Sequence, residues 1–155
     1  MDLLREADLL RKVPMFSKLD ASKLKLLAFT SQLLTFEPTE DLFELGDPGD
    51  CAYVIMEGEA DVLADTEQGQ VIASTLSRNQ LCGEMAVLMK ATRTATVRAK
   101  SRLEALRITD DAFLRLLSEN PDVALDVMRQ LSAKIELSHR MFEEAKNEAA
   151  RISPN

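Results

Sequence analysis

The 155-residue sequence predicts an α+β fold: an antiparallel β-roll, jelly-roll-like, flanked by short N-terminal helices and a long C-terminal helix. Three observations carry that expectation. Apolar residues recur at three- and four-residue steps in the first 32 residues and again from 109 to 152, the period of a helix face. Between Leu33 and Arg107 they fall instead into short or alternating runs. Those runs are separated by Gly, Pro, Asp and Asn, the residues that tight turns use. With 46% hydrophobic residues the chain is long enough for one real core, so a single domain over 1–155 is expected, divided as 1–32, 33–107 and 109–152.

In chain order, Leu3, Leu4, Ala7 and Leu10 give a first helix that ends near Val13-Pro14. Asp20 caps a second, containing Leu24, Leu27 and Ala28. Strands follow at Leu33–Phe36, Tyr53–Met56, Ala60–Leu63 and Val71–Ala73, with turns at Gly46–Asp50, Glu57–Glu59 and Glu67–Gly69. Thr109-Asp110-Asp111 starts a helix that carries Phe113, Leu116 and Leu117 on one face. Pro121 opens the last helix, where its missing N–H costs nothing. Along that helix Met128, Leu131, Ile135, Ser138, Phe142, Ala145, Ala149 and Ile152 form a heptad seam with one polar member, Ser138. Such a seam is either a homodimer contact or a stripe packed on the roll.

The formal charge of -7 argues against a nucleic-acid partner, since phosphate backbones are bound by basic faces. No apolar run approaches a bilayer span, and the opening MDLLREADLL is acidic and amphipathic, so no membrane association and a cytoplasmic location are expected. Two cysteines, Cys51 and Cys82, and one histidine are too few for a disulfide framework or a metal centre, and no cofactor is expected. Nothing pairs a nucleophile with an activating base, so the chain reads as a binding protein rather than an enzyme.

The stretch from Leu81 to Val97 carries the chemistry. Gly83 introduces a turn of helix whose first N–H groups are free to meet an anion. Arg93 adds a permanent charge and a planar fork of donors suited to phosphate oxygens. Glu84 is an acceptor only, and so suits sugar hydroxyls. Together they imply a ribose phosphate ligand. The same two charges would also serve as an ion pair that merely pins a loop.

Gly83-Glu84-Met85-Ala86-Val87-Leu88, followed by Arg93-Thr94-Ala95-Thr96-Val97, resembles the phosphate-binding cassette of the cyclic-nucleotide-binding domains found in bacterial cAMP receptor proteins, cyclic-nucleotide-dependent kinases and gated channels. The resemblance reaches outward to Val13-Pro14-Met15-Phe16, to Leu42–Asp50 and to Tyr53–Gly58. It implies a cassette over 82–97 in which Glu84 holds the ribose 2′-hydroxyl and Arg93 the cyclic phosphate. Gly83, Met85, Ala86 and Thr94 complete the cassette's ligand-binding set. Counted from Asn120-Pro121, the residues that would reach the base are Ser138 and His139. The implied ligand is cAMP or cGMP, with cAMP favoured because Ser138 offers a hydroxyl to the purine edge while Thr94 suits either base.

The sequence departs from the pattern at Cys82, Asn79, Lys90 and Thr92; if Lys90 needs a positive φ, its loop is strained. Signalling is expected through closure of the C-terminal helix over bound nucleotide. Two other readings stay open. One is the sensory half of a transcription regulator whose helix-turn-helix is missing, since the chain closes at Ile152-Ser153-Pro154-Asn155; the other is a dimerisation scaffold that binds no ligand. No downstream effector is named by the sequence.

Overall fold

Strand and turn residues alternate along the middle of the chain as the sequence predicts, and they assemble into two four-stranded antiparallel sheets. The structure is a computed structural model and describes residues 3–152; the side chain of Ile152, last in the expected seam, and the Ser153-Pro154-Asn155 end lie outside the described residues. Helix α1 (Leu3–Arg11), a 3₁₀ turn (Pro14–Phe16) and α2 (Ala21–Thr30) come first. Asp20 caps α2 by accepting from the Lys23 amide at 2.9 Å.

Strands β1 (Gln32–Phe36), β2 (Asp41–Phe43), β3 (Cys51–Glu57), β4 (Ala60–Thr66), β5 (Gly69–Leu76) and β6 (Leu81–Cys82) lead to the short helix α3 (Glu84–Met89). Then come β7 (Thr96–Ala99), β8 (Leu103–Thr109), α4 (Asp110–Glu119) and α5 (Pro121–Ile152). The roll therefore begins one residue before Leu33, and β8 runs two residues past Arg107, because Gln32 pairs with Arg107 and Cys51 pairs with Thr109. Thr109 doubles as the cap of α4, accepting from the Ala112 amide at 3.3 Å.

One sheet runs β1-β8-β3-β6, the other β2-β7-β4-β5. The period of two along β3 decides what each sheet face buries. Cys51, Tyr53 and Ile55 point between the sheets with Leu42, Ala60, Leu76, Val97 and Leu103. Ala52 and Val54 point the other way, into a second core formed with α1, α2, α4 and the start of α5 through Phe16, Leu24, Phe113, Val123 and Val127. β3 thus reads as a nearly unbroken apolar run because both its faces are covered. Among the described residues no helix is long and apolar enough to cross a membrane.

The seam on α5 does not act as one unit. Leu131 packs partly buried against the helical core, whereas Met128, Ile135 and Phe142, seven residues apart, are each more than half exposed. Residues seven apart share the outward face, while Leu131, three residues from Met128 and four from Ile135, lies about 40–60° further round the helix and turns toward the core.

Candidate functional site

A cavity of about 550 Å³ opens between the second sheet, the segment from Cys82 to Ala86, Arg93 to Ala95, and the middle of α5. Gly83 begins it. Its φ of 79° lies in the left-handed region, and a Cβ there would stand 2.6 Å from the Arg93 Nη1, so glycine serves both the turn and the close approach. Gly49 serves a close approach alone: a Cβ there would lie 2.5 Å from the Ala91 carbonyl oxygen and 2.6 Å from the Ala86 Cβ. The loop before β3 is thereby pressed onto α3, and it clamps the backbone of Arg93, whose N–H donates to Asp47 O at 2.8 Å while its carbonyl accepts from the Gly46 amide at 2.9 Å.

Arg93 is almost wholly buried. Its Nη1 donates to Gly83 O at 2.7 Å and its Nη2 to Cys51 O at 2.6 Å, with the guanidinium 4.1 Å above the Phe43 ring. Phe43 in turn stacks on Tyr53. Glu84 is buried too, and its Oε1 accepts from Lys134 Nζ of α5 at 2.6 Å. The ion pair is therefore between Glu84 and Lys134, and the reading in which Glu84 and Arg93 pin a loop by pairing with each other is replaced. Two buried side-chain polar atoms among the described residues lack a hydrogen-bond partner: Glu84 Oε2 and Arg93 Nε. Both residues line this cavity. One orphan is an acceptor and the other a donor.

Of the residues expected from the sequence, Gly83, Glu84, Met85, Ala86, Arg93, Thr94 and Ser138 line the cavity. His139 does not. It is exposed, because one step along a helix turns the side chain about 100° away from its neighbour's face. Lys134 and Gln130 were not expected; the signal for them is a polar residue every fourth position, Gln130, Lys134 and Ser138, on one face of α5.

Lys90, at the C-cap of α3, has φ 52° and ψ 50°, and Asn79 has φ 73°. Asn accepts that conformation more readily than Lys, so the strain foreseen at Lys90 is present and costs about 1–2 kcal/mol. Burial pushes the Cys82 thiol, on the cavity wall, up to about 12 and raises Cys51 as well. Among the described residues no group of three or more His, Cys, Asp or Glu is arranged to hold a metal.

Residues 33–120 match the family model described as a cyclic nucleotide-binding domain. The cAMP-dependent protein kinase regulatory subunit of Schizosaccharomyces pombe is 33% identical over 121 residues, covering 78% of this chain and 28% of that protein. A cyclic nucleotide-binding-like protein of Brucella abortus superposes with a TM-score of 0.60 at 29% identity, over 74% of this chain and 98% of that one. The Thermus thermophilus catabolite activator protein shares the fold, with a TM-score of 0.74 at 23% identity over 89% of this chain and 65% of that one. The chain spans less than a third of the length of the kinase regulatory subunits it matches.

Proposed function

This chain belongs to the cyclic nucleotide-binding domain family, and from that premise we propose that it binds cAMP in preference to cGMP and passes the signal on through α5, without chemistry of its own. The observation that carries the reading is that two residues lining one cavity, Glu84 and Arg93, each hold a buried side-chain atom without a partner, Oε2 and Nε. A buried polar atom without a partner costs about 1–3 kcal/mol. A ribose hydroxyl donating to Glu84 and a phosphate oxygen accepting from Arg93 would satisfy both. Ser138 on the cavity wall supports a polar contact to the purine edge, and the apolar Val62, Ala73, Leu137 and Met141 support a base between sheet and helix.

The route to a signal runs through Lys134. It holds Glu84 Oε1 from α5, so a ligand that takes Glu84 Oε2 binds a carboxylate already shared with the helix. Nucleotide then favours the arrangement in which α5 lies on the cassette, and shifts its population by the difference in affinity.

Calorimetric titration of cAMP and cGMP into the wild type and a Glu84→Gln variant tests the reading. Binding at least tenfold weaker in the variant is expected, and equal binding would sink the cassette assignment. A melting temperature that no cyclic nucleotide moves would favour the ligand-free scaffold, since a ligand that binds only the native state must stabilise it. The exposed Met128, Ile135 and Phe142 support a second reading beside the first, self-association through the outer face of α5. Sedimentation equilibrium of the wild type and an Ile135→Glu variant decides it: a wild-type monomer rules it out.

A further inference from the structure

β6 is only two residues long, yet it delivers Gly83 and Glu84 to the cavity. On one side it pairs with β3, Tyr53 opposite Cys82 and Val54 opposite Leu81. Its other side is the outer edge of the first sheet, where a strand's N–H and C=O groups are left without a ladder. Here that edge is not open. The Leu81 N–H donates to Gln130 Oε1 at 2.9 Å, and the Leu81 carbonyl accepts from Lys134 Nζ at 2.8 Å. Gln130 Nε2 donates in addition to Asn79 O at 3.3 Å. Two side chains one helical turn apart on α5 therefore occupy the position of a neighbouring strand.

We propose that Gln130 is a positioning residue for the nucleotide site, holding the edge of β6 so that Gly83 and Glu84 stand where the ligand meets them. The inference rests on the cyclic-nucleotide reading above and adds a residue to it. Lys134 has a second role at Glu84, but both polar ends of the Gln130 amide are committed to main chain, one to the residue that enters β6 and one to the turn before it. Asn79 itself is fixed from the other side, its N–H donating to Ile55 O at 2.7 Å. The approach to the cassette is thus gripped between β3 and Gln130. Removing Gln130 leaves the outer edge of a two-residue strand held only by Lys134 at the Leu81 carbonyl, and the acceptor that follows it is less firmly placed. Preorganised groups bind more tightly because their ordering is not charged to the ligand.

The experiment compares wild type with Gln130→Met, which keeps length and helix propensity but removes both bonds, and with Gln130→Glu, which keeps an acceptor for Leu81. Amide hydrogen exchange is read residue by residue, and cAMP and cGMP are titrated into each protein. Exchange at the Leu81 amide is expected to quicken about tenfold in Gln130→Met, and nucleotide to bind roughly three- to tenfold more weakly. Gln130→Glu is expected to keep the Leu81 protection. The amides of β8, across β3, are expected to exchange at the wild-type rate in both variants. Unchanged Leu81 exchange, unchanged affinity, or a parallel quickening of β8 would each overturn the assignment. A wild type that binds neither nucleotide overturns the parent reading, and this shows in the wild-type titration alone, apart from any difference between variants.

Discussion

On the cassette wall of the cavity, Arg93 is braced by main-chain carbonyls of Gly83 and Cys51 and by the Phe43 ring, so its place is set by the backbone of the roll. On the opposite wall, Lys134 and Gln130 reach across from α5 by side chains alone. The first arrangement cannot move without breaking the ladders around it. The second can let go by rotamer changes. One fixed and one releasable wall is the arrangement that the proposed signalling through α5 requires, since a ligand shifts a helix only by its differential affinity for the two arrangements.

The sharpest way to break the contrast is Arg93→Ala. It strips two charge-assisted bonds and leaves two buried carbonyls unpaired, so stability is expected to fall by about 3 kcal/mol or more, read from the urea midpoint, together with at least tenfold loss of cAMP affinity. If the urea midpoint stays put, the fixed wall is not what holds that strand. The double variant Glu84→Gln/Lys134→Met, which removes the pair without stranding a buried carboxylate, should cost less stability, about 1–2 kcal/mol. A larger loss than for Arg93→Ala would reverse the comparison.

Smaller effects sharpen it. With its pKa raised from 9.0 to about 12, Cys82 stays a neutral thiol in the folded chain while the unfolded chain ionises. Its contribution is fully present below pH 9 and is lost as pH rises toward 12, about 1 kcal/mol going by pH 10. Cys82→Ala should flatten that slope, and an unaltered slope would assign it to other groups. Lys90→Gly removes the left-handed strain at the α3 cap and is expected to raise stability by roughly 0.5 kcal/mol, the relief being partly offset by glycine's entropy. A lower melting temperature would mean that the Lys90 side chain holds something the loop needs.

Much of this was legible in the sequence for identifiable reasons. Turn residues marked the hairpins at Gly58 and Gly69 because positive φ admits few residue types. Glu84 and Arg93 stood out because an acceptor and a donor nine positions apart fit the family's cassette pattern, and both line the cavity. What the sequence hid were residues with two readings. Lys134 and Gln130 on a charged helix look solvated, and only the register of α5 against β6 gives them partners. Phe43 reads as core and is also the floor under a guanidinium. The heptad on α5 looked like one seam because three- and four-residue steps keep its members within about 60° of one another, yet that offset is enough to turn Leu131 toward the core and leave Ile135 exposed.

α5 runs unbroken from Pro121 to Ile152, while its grip on β6 lies at Gln130 and Lys134. From Gln130 to the far end is about 33 Å at the helical rise. If the proposed signalling through α5 is a tilt about these contacts, a tilt of about 10° carries the tip by roughly 6 Å. Distance probes at the tip would register events at the cavity with several-fold mechanical gain.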